Sequence, residues 1–116
     1  MRITNPEIFE LQADFCTILA NSKRLMILAC LAKKEASVGE IAALVGTTAP
    51  NVSQHLRILR EKNVIRARKE GQTVFYHLVD PRLVQACCLI RSVLLDDLKN
   101  RGLVAQEVRP DNLIVE

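Results

Sequence analysis

The chain has 116 residues, which corresponds to a single domain with room for one small core. Its 49% apolar and 25% charged residues are typical of a globular protein, and no apolar run approaches the ~20 residues of a membrane span, which excludes a membrane-embedded chain. Aromatic residues make up only 3% and tryptophan is absent, so the core must be built from Leu, Ile, Val and Ala, which favours helix packing.

The net charge is small, but the charges are distributed unevenly. Sixteen basic residues against thirteen acidic ones give +3, and the segment from Arg57 to Lys69 is strongly basic, with Glu61 as its single acid. The N-terminal sequence has no apolar signal-peptide core, so we expect a cytoplasmic protein whose thiols stay reduced. Four cysteines in that compartment predict metal ligands, redox sensors or core residues, and not a disulfide framework.

The first predicted helix begins at Asn5-Pro6, with Asn5 as its N-cap and proline at the first helical position. Apolar residues at helical spacing predict that one face of this helix is buried, and they are Ile8, Leu11, Phe15 and Ile18. Cys16 lies beside that face. A second helix restarts at Asn21 or Ser22, with an apolar stripe formed by Leu25, Leu28 and Leu31.

Ser37 is predicted to cap a short third helix, because Glu40 three residues later completes a capping box. A fourth helix, capped by Thr47 or Thr48, runs to about Lys62. Its predicted buried face consists of Val52, Leu56 and Leu59.

Beyond the fourth helix the apolar period changes to two, which predicts strands. Ile65 and Ala67 alternate with Arg66 and Arg68, and the second set of alternating residues is Val74, Tyr76 and Leu78 against Phe75 and His77. Between them, Glu70-Gly71 is a two-residue hairpin signal in which glycine supplies a positive φ. A long last helix is predicted from about Asp80 to Asn100.

The predicted fold class is mainly α with a small β-hairpin. Five helices with a two-stranded wing before the last helix correspond to a winged helix-turn-helix. Residues 1–102 would form this domain, and residues 103–116 a loose C-terminal tail.

The fourth helix has a polar face opposite its apolar one, which is suited to the major groove of DNA. Glutamine can bond adenine and arginine can bond guanine, so Ser53, Gln54 and Arg57 are predicted to make base or near-base contacts. A merely solvated face is the alternative, but the basic hairpin beside it favours phosphate binding. The predicted DNA-binding residues are Thr47, Thr48, Asn51, Ser53, Gln54, Arg57, Arg66, Arg68, Lys69 and Gln72. We expect structural roles for His55 and His77.

Residues 37–78 resemble the DNA-binding core of the ArsR–SmtB family of bacterial and archaeal repressors, and residues 20–31 resemble its second helix. The most specific part is SQHLRILRE followed by RKEGQTVFYHL. The resemblance implies a homodimer, held by the first and last helices, that binds a two-fold operator in double-stranded DNA and is released by an inducer. It also implies that Thr47 to Arg57 carry recognition and that Arg66 to Thr73 form the wing. No cofactor is expected for DNA binding.

Family members differ mainly in the inducer, and each type of inducer has its own sensor site. The arsenic-type Cys-X-Cys pair on the third helix is absent, because Ser37, Val38 and Gly39 occupy its positions. The zinc-type site on the last helix retains Asp80, but Arg82 replaces the histidine. Arginine cannot bind zinc, so Asp80 is better explained as a helix cap.

The reactive-sulfur type of the family pairs a second-helix cysteine with one on the last helix. The corresponding positions here are Ala29 and Leu95, so neither is a cysteine. Cys30 lies one residue from the first position. A lone cysteine in an apolar helix is usually a small core residue, and we expect that role for Cys30, with sensing as the alternative.

Two adjacent cysteines on the last helix, Cys87 and Cys88, are the remaining candidates for an inducer site. Cys88 lies about 100° around the helix from Cys87. Cys87 is predicted to lie in an apolar seam formed by Leu83, Cys87, Ile90 and Leu94. Together with Cys16, these thiols could meet at the dimer interface that the resemblance implies. Soft thiolates suit As(III) or Sb(III) as a bound inducer. In a second interpretation, the cysteines sense sulfur or redox state by forming a persulfide or a disulfide. In a third, they only pack at the interface. The metal ligands themselves stay unassigned.

The sequence therefore predicts a sequence-specific DNA-binding transcriptional repressor, a homodimer released from its operator by a small thiol-reactive inducer such as arsenite or antimonite. A reactive-sulfur or redox-sensing repressor that uses the same cysteines is the alternative. An enzyme is not expected, because a Cys-X-X-Cys motif and an evident resolving base are absent. A thiol-redox enzyme and a winged helix for protein contacts remain remote alternatives, and activation in place of repression is left open.

Overall fold

The computed structural model describes residues 1–114 and confirms the predicted winged helix-turn-helix. The elements are α1 (Pro6–Cys16), α2 (Ser22–Lys33), β1 (Ala36–Ser37), α3 (Val38–Val45), α4 (Ala49–Glu61), β2 (Ile65–Glu70), β3 (Thr73–Leu78) and α5 (Arg82–Asn100). A short 3₁₀ turn, Thr17–Leu19, connects α1 to α2. The chain divides into two compact units, Met1–Val79 and Asp80–Glu116.

The core of the first unit is aliphatic, as the shortage of aromatic residues predicts. The apolar face of α4 is buried as expected, and α2 contributes Leu28 and Leu31, whereas Leu25 is half-buried. The most deeply buried side chains are Ile18, Ile27, Leu28, Ile41, Val52, Leu56, Leu59 and Ile65.

The predicted caps set the ends of α3 and α4. The Ser37 hydroxyl accepts a hydrogen bond from the Glu40 amide (3.3 Å), and the Glu40 carboxylate accepts one from the Ser37 amide (3.1 Å), which forms the capping box. Gly46 ends α3 at φ 75°, a left-handed conformation that favours glycine. Thr48 then caps α4, where its hydroxyl accepts from the Asn51 amide at 3.3 Å.

The wing belongs to a three-stranded antiparallel sheet with the order β1-β3-β2. The short strand β1 is not predicted by the sequence, because two residues are too few to show a period. The hairpin turn also differs from the prediction by one residue. Glu70 is the last residue of β2 and pairs with Thr73, so Gly71 and Gln72 form the turn. Gly71 has φ 62°, which explains the glycine.

The predicted buried face of α1 is only partly buried in the single chain. Ile18, in the 3₁₀ turn, is buried and Phe15 is half-buried, whereas Ile8 and Leu11 are exposed. No residue of α1 is buried, and Ile8, Phe9 and Leu11 are more than half exposed. Periodicity identifies which side of a helix is apolar, but it cannot identify what covers that side. The helix begins at Pro6 as expected, yet Asn5 has left-handed backbone geometry and its side chain makes no capping hydrogen bond.

The last helix, α5, forms the second unit together with the residues that follow it. The Asp80 carboxylate caps its first turn by accepting a hydrogen bond from the Arg82 amide at 2.9 Å. Of the predicted seam, only Cys87 is buried. Ile90 and Leu94 are exposed, and Leu83 is half-buried, so the chain itself does not cover this side of α5.

The residues after α5, which their composition predicts to be a loose tail, form hydrogen bonds with that helix. They fold back along α5, where the Arg91 guanidinium donates to the Pro110 carbonyl at 2.8 Å. The Leu103 amide also donates to the Leu98 carbonyl at 2.9 Å. The last two residues of the predicted tail, 115 and 116, lie outside the described residues.

Across residues 1–114, no single helix has both the length and the apolar character needed to cross a membrane. The segments Pro6–Leu19 and Ser22–Lys33 pass this test only as a pair, by length and composition, and they are bent by 85° at their junction.

Candidate DNA-binding surface and cysteine sites

The polar face of α4 is open to solvent at all three positions predicted to contact bases. Ser53, Gln54 and Arg57 are exposed, and the helix is fixed from behind by its buried apolar face. Arg57 forms an ion pair with Glu61 at 3.2 Å, but both side chains are largely exposed. Exposed ion pairs of this kind contribute little stability, so the Arg57 guanidinium can exchange Glu61 for a base or phosphate.

The N-terminus of α4 is arranged for an anion. Backbone N–H groups without helical partners and the helix dipole favour a phosphate at such an end. The Thr48 hydroxyl accepts from a backbone amide and retains its own O–H to donate. The Thr47 hydroxyl donates to the Asn51 side-chain oxygen at 3.3 Å. Thr47 and Asn51 are half-buried and Thr48 is exposed, so Thr48 is the most accessible of these three predicted DNA-binding residues.

A second set of contacts connects α4 to the end of α1, and sequence patterns give no signal for it. The Arg24 guanidinium donates to the Ile18 carbonyl (2.6 Å) and the Thr17 carbonyl (3.3 Å) of the 3₁₀ turn. Its third nitrogen lies 3.4 Å from Nδ1 of His55 on α4. His55 is half-buried here, consistent with a structural role.

The other end of α4 is connected to α1 as well. Lys62, which follows α4 directly, pairs with Asp14 of α1 at 3.0 Å. The last turn of α1 therefore contacts the C-terminal end of α4, and the 3₁₀ turn after α1 is linked through Arg24 to the middle of α4.

The protonation state of His55 is expected to make folding stability depend on pH. Its pKa lies below the ordinary value because of desolvation and, secondarily, the positive charge of Arg24. The unfolded chain then binds a proton more readily than the folded one, so the free energy of unfolding falls as pH drops below about 6.5. Urea unfolding at pH 7, 6 and 5 should show a smaller decrease for His55→Gln than for the wild type. Equal decreases in the two proteins would contradict this assignment.

The residues of the wing that are predicted to contact DNA are of two kinds. Arg66, Lys69 and Gln72 are exposed and have no polar side-chain partner within residues 1–114. Arg68, by contrast, is engaged by two carboxylates, those of Glu35 and Glu70. The structure thus separates the predicted wing contacts into available and engaged groups.

The four cysteines have different environments. Cys16 is exposed, Cys88 is half-buried, and Cys30 and Cys87 are buried. Burial raises the pKa of the Cys30 thiol, which reduces its reactivity and agrees with the expected core role. Among the described residues of one chain, His, Cys, Asp and Glu form no group of three or more that could hold a metal ion.

At the position of the zinc-type site on the last helix, Asp80 and Arg82 form an ion pair with each other, where the family has two zinc ligands. The Arg82 guanidinium donates to both carboxylate oxygens of Asp80, with a shortest distance of 2.7 Å. These hydrogen bonds lower the pKa of Asp80. The assignment of Asp80 as a helix cap therefore agrees with the geometry.

Comparison with known proteins identifies regulators of transcription. Residues 21–67 match the model of the bacterial regulatory proteins of the arsR family. The chain is 33% identical over 103 residues to the uncharacterized HTH-type transcriptional regulator Rv0081 of Mycobacterium tuberculosis, an alignment that covers 88% of this chain and 90% of that protein. It is 34% identical over 85 residues to the transcriptional repressor SmtB homolog of Synechocystis sp., covering 69% of this chain and 64% of that protein.

Solved structures agree with this result. The crystal structure of Rv0081 superposes with a TM-score of 0.73 at 33% identity and covers 82% of this chain and 96% of that one. The solution structure of the homodimeric winged helix-turn-helix DNA-binding domain of Mb0332 from Mycobacterium bovis gives a TM-score of 0.73 at 26% identity, covering 86% of this chain and 93% of that one.

Proposed function

Because this chain belongs to the ArsR–SmtB family of DNA-binding transcriptional regulators, we propose that it is a homodimeric repressor which a thiol-reactive inducer releases from its operator. The observation that carries the DNA-binding part is the exposed polar face of α4, with Gln54 and Arg57, next to a wing with available cations. Side chains of this kind read base edges in the major groove, while cations of the wing bind phosphates.

Two exposed apolar surfaces support the homodimer. On α5, Leu89, Ile90, Val93 and Leu94 form one patch, with Ile90 66% exposed. On α1, Ile8, Phe9 and Leu11 are likewise exposed. Contiguous exposed apolar patches on a small domain usually mark an interaction site, and a second copy of the chain would cover both surfaces. The homodimeric Mb0332 domain has the same fold.

The inducer part of the proposal rests on where the cysteines lie in the chain. Cys87 and Cys88 belong to α5 and Cys16 to α1, which are the two helices with uncovered apolar faces. Thiolates are soft ligands, so the class of inducer that fits best is a trivalent metalloid such as arsenite or antimonite, held by up to three sulfurs. We propose that the protein acts in the cytosol, where its thiols stay reduced.

The contacts of α4 supply a route from these cysteines to DNA. Cys16 ends α1 and directly precedes the turn whose carbonyls bind Arg24, and Arg24 reaches His55 on α4. A ligand that shifts the end of α1 would therefore shift the recognition helix. In a dimer this changes the distance between the two recognition helices, and ~3 kcal/mol of differential binding corresponds to a ~150-fold loss of operator affinity.

Arsenite titration of the reduced protein bound to its own upstream DNA tests the inducer. Fluorescence anisotropy is expected to report release at stoichiometric arsenite, and Cys87→Ser and Cys88→Ser variants should no longer respond. Cys30→Ser is the matched control, because its thiol is buried in the first unit and should not affect release. Unchanged anisotropy in the wild type at excess arsenite would reject the metalloid inducer.

Sulfur or redox sensing is the second candidate, favoured by the exposure of Cys16. An accessible thiol can be oxidised to a sulfenic acid or converted to a persulfide. The same DNA complex would then be released by polysulfide in the wild type and retained in Cys16→Ser.

A further inference from the structure

The side chain of Arg68 crosses the sheet of the wing from one edge to the other. Arg68 lies on β2, the outer strand, directly opposite Phe75 of the central strand β3. Its guanidinium carbon lies 5.1 Å from the centre of the Phe75 ring, within the range of a cation–π contact. Beyond Phe75 it reaches Glu35, the residue just before β1 on the far side of the sheet. Arg68 therefore connects the free edge of the wing to the connection between α2 and β1.

The contact with Glu35 uses both carboxylate oxygens. Nη2 of Arg68 donates to one oxygen at 2.6 Å, and Nε donates to the other at 3.4 Å. The remaining guanidinium nitrogen, Nη1, donates at 2.7 Å to the carboxylate of Glu70, the residue before the hairpin turn. All three nitrogens of the guanidinium are therefore engaged, and the hydrogen bonds from Arg68 lower the pKa of Glu35. Bidentate arginine–carboxylate pairs fix an orientation as well as a distance.

The charges around Arg68 argue against a phosphate contact. Two carboxylates surround one guanidinium, so the group carries one net negative charge when all three are ionised. Arg66 points to the same face of the hairpin, two residues earlier on the strand, and has no polar partner within residues 1–114. A phosphate approaching the wing meets an available cation at Arg66 and a neutralised one at Arg68.

We propose that Arg68 is a positioning residue, which together with Glu35 holds the wing in its DNA-binding orientation, and that Arg66 supplies the phosphate contact. This inference rests on DNA binding by the wing. It changes the role that the basic composition of the hairpin predicts for Arg68, and it assigns a role in DNA binding to an acidic residue, Glu35, that lies outside the helix-turn-helix and the hairpin.

The dependence of operator affinity on salt separates the two roles, because each phosphate contact adds about 0.9 to the slope of log K against log[salt]. Arg66→Gln is expected to lower this slope by about 0.9 for each protomer bound. Arg68→Gln and Glu35→Gln should each weaken operator binding by about 2- to 10-fold with an unchanged slope. The double variant should bind the operator as tightly as the single variant with the lower affinity, because both substitutions break the same interaction between Arg68 and Glu35.

Glu35→Gln gives the sharpest contrast. If Arg68 contacted phosphate, removal of the Glu35 charge would release its guanidinium, and both the affinity and the slope would increase. Arg68→Lys adds a test that keeps the charge: lysine cannot form the bidentate contact, so a positioning role predicts a loss similar to that of Arg68→Gln. Wild-type affinity in Arg68→Lys, or a steeper slope in Glu35→Gln, would overturn the proposal.

Backbone hydrogen exchange gives a second readout that needs no DNA. Amides of β2 and β3 should exchange faster in Arg68→Gln and Glu35→Gln than in the wild type, whereas Arg66→Gln should leave them unchanged. Equal exchange in all four proteins would count against the positioning role. Failure of the DNA-binding function itself would be recognised separately, because the wild-type protein would then show no salt-dependent affinity for operator DNA.

Discussion

Ile90→Asp is expected to dissociate the homodimer and to reduce operator affinity by about 100-fold or more, since two linked half-site contacts become one. Ile90 is 66% exposed in the chain and lies on α5 between the exposed Leu89 and Val93. In a dimer that buries this patch, the aspartate would place an unpaired carboxylate in an apolar interface, which costs several kcal/mol. Sedimentation equilibrium measures the dissociation, and anisotropy on operator DNA measures the loss of affinity.

A matched control keeps the added charge but moves it away from the patch. Gln85 is an exposed polar residue in the first turns of α5, so Gln85→Asp should leave the protein dimeric and bound to DNA. The same patch tolerates an apolar change, and Ile90→Leu should behave as the wild type. If Ile90→Asp remained a dimer at micromolar concentration with wild-type affinity, α5 would not form the dimer interface.

Arg57→Ala is expected to remove sequence-specific binding while leaving the fold intact. A bidentate contact from arginine to guanine contributes about 1–3 kcal/mol of discrimination, and a dimer on a two-fold operator has two such contacts, so the loss is roughly 2–6 kcal/mol. This corresponds to a decrease of at least about 30-fold in operator affinity. The side chain is 81% exposed, and its ion pair with Glu61 is a surface pair, so thermal unfolding should hardly change.

The comparison that isolates specificity uses two DNA duplexes. Affinity of Arg57→Ala for the operator should approach its affinity for a scrambled duplex, because the phosphate contacts of the wing remain. Glu61→Gln is the control variant, since it frees Arg57 from its ion pair and should retain or increase operator affinity. Equal affinities of Arg57→Ala and the wild type for the operator would remove α4 as the recognition helix.

Much of the local structure follows from short-range rules in the sequence. The capping box of Ser37 and Glu40, the cap at Thr48 and the positive φ of Gly71 each depend on atoms within a few residues. The sequence predicts the first and the third, and it gives Thr48 as one of two candidate caps. The buried face of α4 also follows from its own spacing. The turn of the hairpin was placed one residue early, because an alternating pattern locates strands better than it locates their ends.

The sequence by itself determined the winged helix-turn-helix and the polar face of α4, because caps and periodicity specify them, and two of its stretches carry the resemblance to the family. Only the tertiary structure decided which charged residues are available. Arg66 and Arg68 look alike in the sequence, but Glu35, 33 residues from Arg68, pairs with Arg68 and not with Arg66. Contacts between residues so far apart depend on how the sheet and helices pack, and no local pattern encodes them. For the same reason, periodicity identified the apolar sides of α1 and α5 but could not show that the chain leaves both uncovered.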